Sequence, residues 1–131
     1  MRFLSLYKSI ERNTPPTPEE MARMGKLIED GMKSGKLIAT EGCMPSAMGA
    51  RVRVDHGKHT ISDGPFTESK EVVGGFALIE APSKQAAIEF VKEFLAVVGE
   101  GECEIRQVYE APPPCLEHSA AASSELVTRE A

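Results

Sequence analysis

Tryptophan is absent from this chain of 131 residues, and aromatic side chains make up only 5% of it. Large rings therefore cannot carry the core. It must rest on Val, Ile, Leu, Met and Ala, within a hydrophobic fraction of 41%. Cysteine is scarce too, with Cys43, Cys103 and Cys115 forming an odd, widely spaced set. A disulfide framework needs an even set, and a zinc site usually shows a close pair, so neither is expected. Reduced thiols fit a cytoplasmic protein. No apolar run is long. Phe3-Leu4-Ser5-Leu6-Tyr7 is too short for a signal-peptide core or a membrane span, so no membrane partner is expected. Positive charge is not in excess either. The 15 basic residues are scattered among 20 acidic ones, for a net charge of −5. Nucleic acid would demand a positive face and is not an expected partner.

What is present suits one domain. A chain of this length buries roughly two-thirds of its unfolded surface. Residues 3–7 read as a well-covered strand with apolar residues on both faces. Asn13-Thr14-Pro15-Pro16 breaks the pattern. A helix then starts at Thr17-Pro18-Glu19-Glu20, with Thr17 as cap, Pro18 in the first turn and Glu20 completing a capping box. Met21, Met24, Ile28 and Met32, with Leu27 beside them, predict its buried face. Gly35 is placed to stop it.

A second strand covers 37–40, and a loop with Pro45 covers 42–49. Alternation over 51–55 predicts a strand with Val52 and Val54 inward. His56-Gly57 turns it into a hairpin partner at 58–62. Asp63-Gly64-Pro65 forces a further turn. After a polar stretch, 76–80 reads as a strand. Ser83 caps a second helix whose buried stripe is Ala87, Val91, Phe94 or Leu95, and Val98. A last strand alternates from Cys103 to Tyr109. From Ala111 the composition shifts to Pro, Ala and Ser. The expected division is a domain over 1–110 and an extended tail over 111–131.

Without its hairpin the order is βαββαβ, so the fold class is α+β, ferredoxin-like with an inserted β-hairpin. Right-handed crossovers put both helices on one face of an antiparallel sheet. The other face also carries apolar residues, and a second copy is its simplest cover.

The run Asp63-Gly64-Pro65-Phe66-Thr67-Glu68-Ser69-Lys70-Glu71, followed by Gly74-Gly75, resembles the signature of the DGPF group of YCII-related proteins. Gly42-Cys43-Met44-Pro45-Ser46 resembles that group's loop ahead of the hairpin, and the similarity runs over about residues 1–110. The resemblance implies a dimeric α+β barrel with a pocket between helices and sheet near the motif. Enzymes of the wider superfamily resemble lyases or isomerases that use a His-Asp pair. Some members are linked to sigma factors of the extracytoplasmic-function type. This chain departs from the catalytic pattern, since residues 13–28 hold no histidine.

Asp63 is the candidate general base, although Asp before Gly-Pro is also a good turn former. Phe66 lines a pocket or anchors the loop. Gly64 and Pro65 shape the backbone, and the Gly64, Gly74, Gly75 spacing is not that of a phosphate loop. Glu68, Lys70 and Glu71 form either a solvated charge run or a set in which Lys70 holds a substrate carboxylate. His56 and His59 lie on a hairpin with no further ligands beside them, and His118 lies in the tail. No metal or cofactor is expected. Cys43 faces the pocket-side loop, and Met44 and Met48 are core or an adaptable pocket wall. The leading expectation is a cytoplasmic homodimer with a small-molecule pocket formed by Gly64, Pro65, Phe66, Glu68, Lys70 and Glu71. Two alternatives are an acid–base enzyme using Asp63 and a regulatory module acting with a sigma factor.

Overall fold

Strand β1 (Arg2–Ser9) occupies an interior position because both of its faces are apolar enough to be covered. In this computed structural model, which describes residues 1–11 and 14–110, β1 pairs antiparallel with β5 (Val72–Glu80) on one side and β6 (Glu102–Gln107) on the other. Strand β2 (Leu37–Gly42) pairs antiparallel with the far side of β5, giving the order β2-β5-β1-β6. The architecture is α+β with antiparallel sheets.

The period of two sorts β1 and β5 into two faces. Phe3 and Ile79 are register partners and the largest fully buried side chains. They pack with Ala81 and with Ala87 and Val91 of helix α2 (Lys84–Val98). Ser83 caps α2, its Oγ accepting from the Ala86 amide at 3.2 Å. Leu4 and Leu6 point to the opposite face, in register with Leu78 and Phe76. That second face lies outside the buried cluster.

Helix α1 (Pro18–Ser34) starts where expected. Thr17 Oγ1 accepts from the Glu20 amide at 3.1 Å, and Gly35 stops the helix at φ 80°. Its buried face differs from the expected stripe. Met21 and Met32 are 62% and 44% exposed, and the inner line runs through Met24, Leu27, Ile28 and the buried Gly31. A Cβ on Gly31 would meet Leu37 Cβ at 2.9 Å and Phe90 Cζ at 3.3 Å. Gly31 thus lets α1 settle closely against the side chains of Leu37 and Phe90. A glycine contributes nothing to a hydrophobic pattern, so the methionines alone misplaced the stripe.

Strands β3 (Ala50–Asp55) and β4 (Lys58–Asp63) form a separate two-stranded sheet. His56 at φ 50° and Gly57 at φ 79° suit the tight turn between them. Val52 and Val54 were expected inward, but they are 67% and 62% exposed. They do share one face with Ile61, which is in register with Val52. The rest of the described chain leaves that face largely open. Strand β6 ends at Gln107, short of the expected Tyr109, which is exposed. The expected tail, with His118 and Cys115, falls outside the described residues, as does Asn13.

Two stability measurements follow. Phe3→Ala should lower unfolding free energy by about 3–5 kcal/mol in denaturant titrations. Gly31→Val should cost about 1–3 kcal/mol, because it overpacks the contact with Leu37 and Phe90. Gly25→Val has open space around it and should cost less than Gly31→Val.

Candidate functional site

The motif segment is held by residues outside it. Past Asp63, the Gly64 amide donates to Gly49 O at 3.0 Å and closes the neck of the hairpin. Ser46, at the start of a short 3-10 turn (Ser46–Met48), presses against this neck. A Cβ on Gly64 would stand 1.7 Å from Ser46 O, so only glycine fits. The Phe66 amide donates to Ser46 Oγ at 3.1 Å. The Ser46 amide in turn donates to Glu11 Oε1. Hydrogen bonds from the Ser46 side chain and then its backbone hold the Glu11 carboxyl below its ordinary pKa.

Arg51 does most of the remaining work. Its guanidinium carbon lies 3.9 Å from the Phe66 ring centroid, a cation–π contact. Nη1 pairs with Glu68, and Nη2 donates to Ser69 Oγ at 2.7 Å. The Ser69 amide donates to Phe66 O at 3.1 Å, which curls the segment around the ring. The Glu68 carboxyl sits below its usual pKa, chiefly through its own backbone amide and then through Arg51. Beyond the segment, the Cys43 amide donates to Gly74 O at 2.9 Å. A Cβ on Gly75 would stand 2.7 Å from Glu41 O, so this glycine also serves close approach.

These contacts shape a groove of about 630 Å³ whose walls include Met44, Met48, Arg51, Phe66, Glu71 and Val73. An adjoining cleft of about 530 Å³ shares Cys43, Met44, Pro45, Val72 and Val73 with it and reaches Tyr7. Tyr7 also lines an inner cavity of about 260 Å³ between helices and sheet, with Met24, Ile28, Phe94, Ser5 and Cys103. The Tyr7 ring stands edge-on to Phe94, with centroids 5.1 Å apart, and its hydroxyl donates to Glu100 O at 2.7 Å. Burial pushes the Cys103 thiol up, against a hydrogen bond with Ser5 that lowers it. This thiol is therefore protonated near neutral pH and is a poor nucleophile.

Phe66 and Glu71 line the groove, and Glu68 is engaged in holding Arg51. Lys70 lines a separate cleft beside Glu71, Glu100 and Glu102. Gly64 and Pro65 form the neck. Asp63 is exposed at the end of β4, opposite Ala50, and lines neither groove nor cavity. Met44 and Met48 are exposed groove walls rather than core. His56 is exposed beside Asp55 at 3.4 Å. Among the described residues, no group of three or more His, Cys, Asp and Glu is placed to hold a metal ion. Sequence reasoning passed over Arg51, Ser46, Glu11 and Tyr7. Arg51 looked like one outward residue of an alternating strand, and only the fold shows that it meets Phe66.

A model of the YCII-related domain matches residues 1–112. The chain belongs to the YCII-related family. An uncharacterised protein of Rhizobium meliloti (strain 1021) is 34% identical over 62 residues, which is 47% of this YCII-related chain and 50% of that protein. The match thus spans half the length of the curated relative. A solved 5-chloro-2-hydroxyhydroquinone dehydrochlorinase from Burkholderia phenoliruptrix AC1100, in complex with 2,5-dihydroxybenzoquinone, is 17% identical with a TM-score of 0.43. That alignment covers 85% of this chain and 96% of the other, and at that distance carries no chemistry across. No helix among the described residues is long and apolar enough to cross a membrane.

Arg51→Lys keeps the charge and loses the fork that spans Glu68 and Ser69. It should speed proteolytic cleavage within residues 64–71 by roughly threefold or more while leaving the melting point of the body nearly unchanged. The Glu68 contribution has a definite sign in pH. A carboxyl whose folded pKa is depressed stabilises above its unfolded pKa, and that stability is lost as pH falls through the folded value. Protection of the motif segment should therefore decline on acidification below about pH 4 and not on raising pH from neutral. In the folded protein, a thiol reagent at neutral pH should label the exposed Cys43 before the half-buried Cys103.

Proposed function

We propose that this YCII-related protein is a homodimer that binds a small molecule in the groove walled by its motif segment. The observation that carries this reading is the position of Phe66 and Glu71. Both lie on the wall of a groove of about 630 Å³, which meets a cleft and then an apolar inner cavity through shared residues. Concave, largely apolar surfaces with a few polar groups are where small ligands bind. The ligand class that suits these walls is a small, mostly apolar molecule with one or two polar handles. Glu71 would meet a polar handle, and Met44, Met48 and Val73 the apolar part.

The DGPF pattern at residues 63–66 is consistent with this reading, as its glycine is required by Ser46 and its phenylalanine is the ring on which Arg51 rests. The order β2-β5-β1-β6, with α1 and α2 on the Phe3 side, supports a ferredoxin-like dimeric α+β barrel. Leu4, Leu6, Phe76 and Leu78 form the apolar strip that a second copy would cover.

The test is a thermal-shift screen of small carboxylates, phenols and metabolites, with light scattering on the same samples. A ligand at about 100 times its Kd stabilises by roughly 2.7 kcal/mol, a shift of several degrees. A hit should be weakened in Glu71→Gln and retained in Asp63→Asn. Loss in Asp63→Asn alone, with saturable turnover in the wild type, would instead support the acid–base enzyme. Monomer at tens of micromolar in light scattering would refute the homodimer.

A further inference from the structure

The β3–β4 hairpin is the part of the chain least explained by its own body. All of its strand residues are exposed, and the two strands form a sheet separate from the four-stranded one. A two-stranded hairpin by itself is marginally stable in water. Yet this one is sorted into two faces. Val52, Val54 and Ile61, between 62% and 67% exposed, share one face, while Arg51, Arg53 and Lys58 share the other. His59 and Asp63 lie on the same face, opposite Val54 and Ala50, so Val52, Val54 and Ile61 form an apolar cluster flanked by polar groups, more than a purely solvated loop needs.

We infer that the hairpin is an intersubunit arm, whose row of Val52, Val54 and Ile61 docks on a second copy of this chain at the margin of its open sheet face. This rests on the homodimer reading above and adds to it the element that reaches across. Three observations favour a second copy as the occupant. The chain carries a matching uncovered surface, because Phe76, in register with Leu6, and Val73, in register with Lys8, remain 36% and 47% exposed. Reach is adequate. Six-residue strands extend about 20 Å, and a four-stranded sheet is about 15 Å across, so an arm projecting from the Gly49–Gly64 neck can span a neighbour's sheet. Charge is complementary. The hairpin has three basic residues, Arg51, Arg53 and Lys58, against Asp55 and Asp63, on a chain of net charge −5. Arg51 is engaged within its own chain, which leaves Arg53 and Lys58 for a neighbour's Glu41 on β2 and Glu102 on β6. Their long stems can curl round so narrow a ribbon while the apolar row stays in contact.

A docked arm also couples assembly to the ligand groove. Arg51 lies on β3 and holds Phe66, so anything that fixes the hairpin fixes a wall of the groove.

The experiment compares the wild type, the double variant Val52→Asp/Ile61→Asp and the control Met21→Asp, all as the full chain. Met21 is equally exposed but lies on the outer side of α1. Light scattering across a dilution series reads the dimer Kd, and circular dichroism and thermal melting check that each variant folds. The double variant should weaken the dimer by about tenfold or more, and Met21→Asp should not. Wild-type protein mixed from nitrogen-15 and unlabelled chains is also treated with an amine-reactive cross-linker. Cross-links from Lys58 to the sheet region should join labelled to unlabelled peptides. A wild-type dimer left unchanged by the double variant, or Lys58 cross-links confined to one isotope, would overturn the arm and leave the dimer standing. A wild type that is monomeric throughout would overturn both.

Discussion

Phe3 and Ile79 face each other across β1 and β5, and the rest of the body is arranged to keep that pair dry. With so few rings available, one phenylalanine on the central strand fills the space between sheet and α2. Ala87, fully buried, and Val91 are small enough to let α2 settle onto it. Gly31 then lets α1 approach Leu37 and Phe90. Small and large side chains from both layers interlock, with Ala87 beneath Phe3 and with Phe90 and Leu95 of α2 packed against the same cluster. Loss of volume at Phe3 cannot be made good by neighbours already in contact.

The motif segment follows a different logic. It lies at the end of the sheet away from that core, and its order comes from polar contacts and one ring. Ser46 touches Gly64 and Phe66, Arg51 spans Phe66, Glu68 and Ser69, and Glu11 anchors Ser46 from the end of β1. Most of these contacts are exposed, and each is weak in isolation. Together they hold three separate stretches of chain around one groove. The most stable part of the protein is thus the helix-covered face of the sheet, and the groove wall is its more easily altered part. That division suits a binding site, whose walls must accommodate a guest, better than it suits a site that must hold reacting atoms to a fraction of an ångström.

Two apolar surfaces have little cover within the described chain. The strip of Leu4, Leu6, Phe76 and Leu78 and the hairpin row of Val52, Val54 and Ile61 are both apolar; the strip lies outside the buried cluster, and the hairpin row is exposed. Their shared remedy in a second copy would bring the groove, the arm and the open sheet face into one assembly. The net charge of −5 does not oppose such pairing if the basic hairpin meets acidic strand ends.

Local chemistry determined much of this protein directly. Thr17, Gly35, Ser83 and Gly99 mark the ends of both helices, and His56-Gly57 marks the hairpin turn, because caps and tight turns are satisfied within a few residues. The period of two was correct along β3, with Val52 and Val54 on one face. What lies opposite that face is a tertiary matter, so "inward" did not follow. The stripe on α1 was misread for a related reason, since Gly31 reveals its role only when Leu37 and Phe90 come against it. Within the motif, Gly64-Pro65 by itself determined that the chain would turn at the end of β4. Only the tertiary structure decided that Phe66 and Glu71 reach the groove while Asp63 stays outside it, and that Arg51 from another strand holds the segment. Those contacts join residues far apart along the chain, and the distance between them is set by how the two sheets and the 43–49 loop pack.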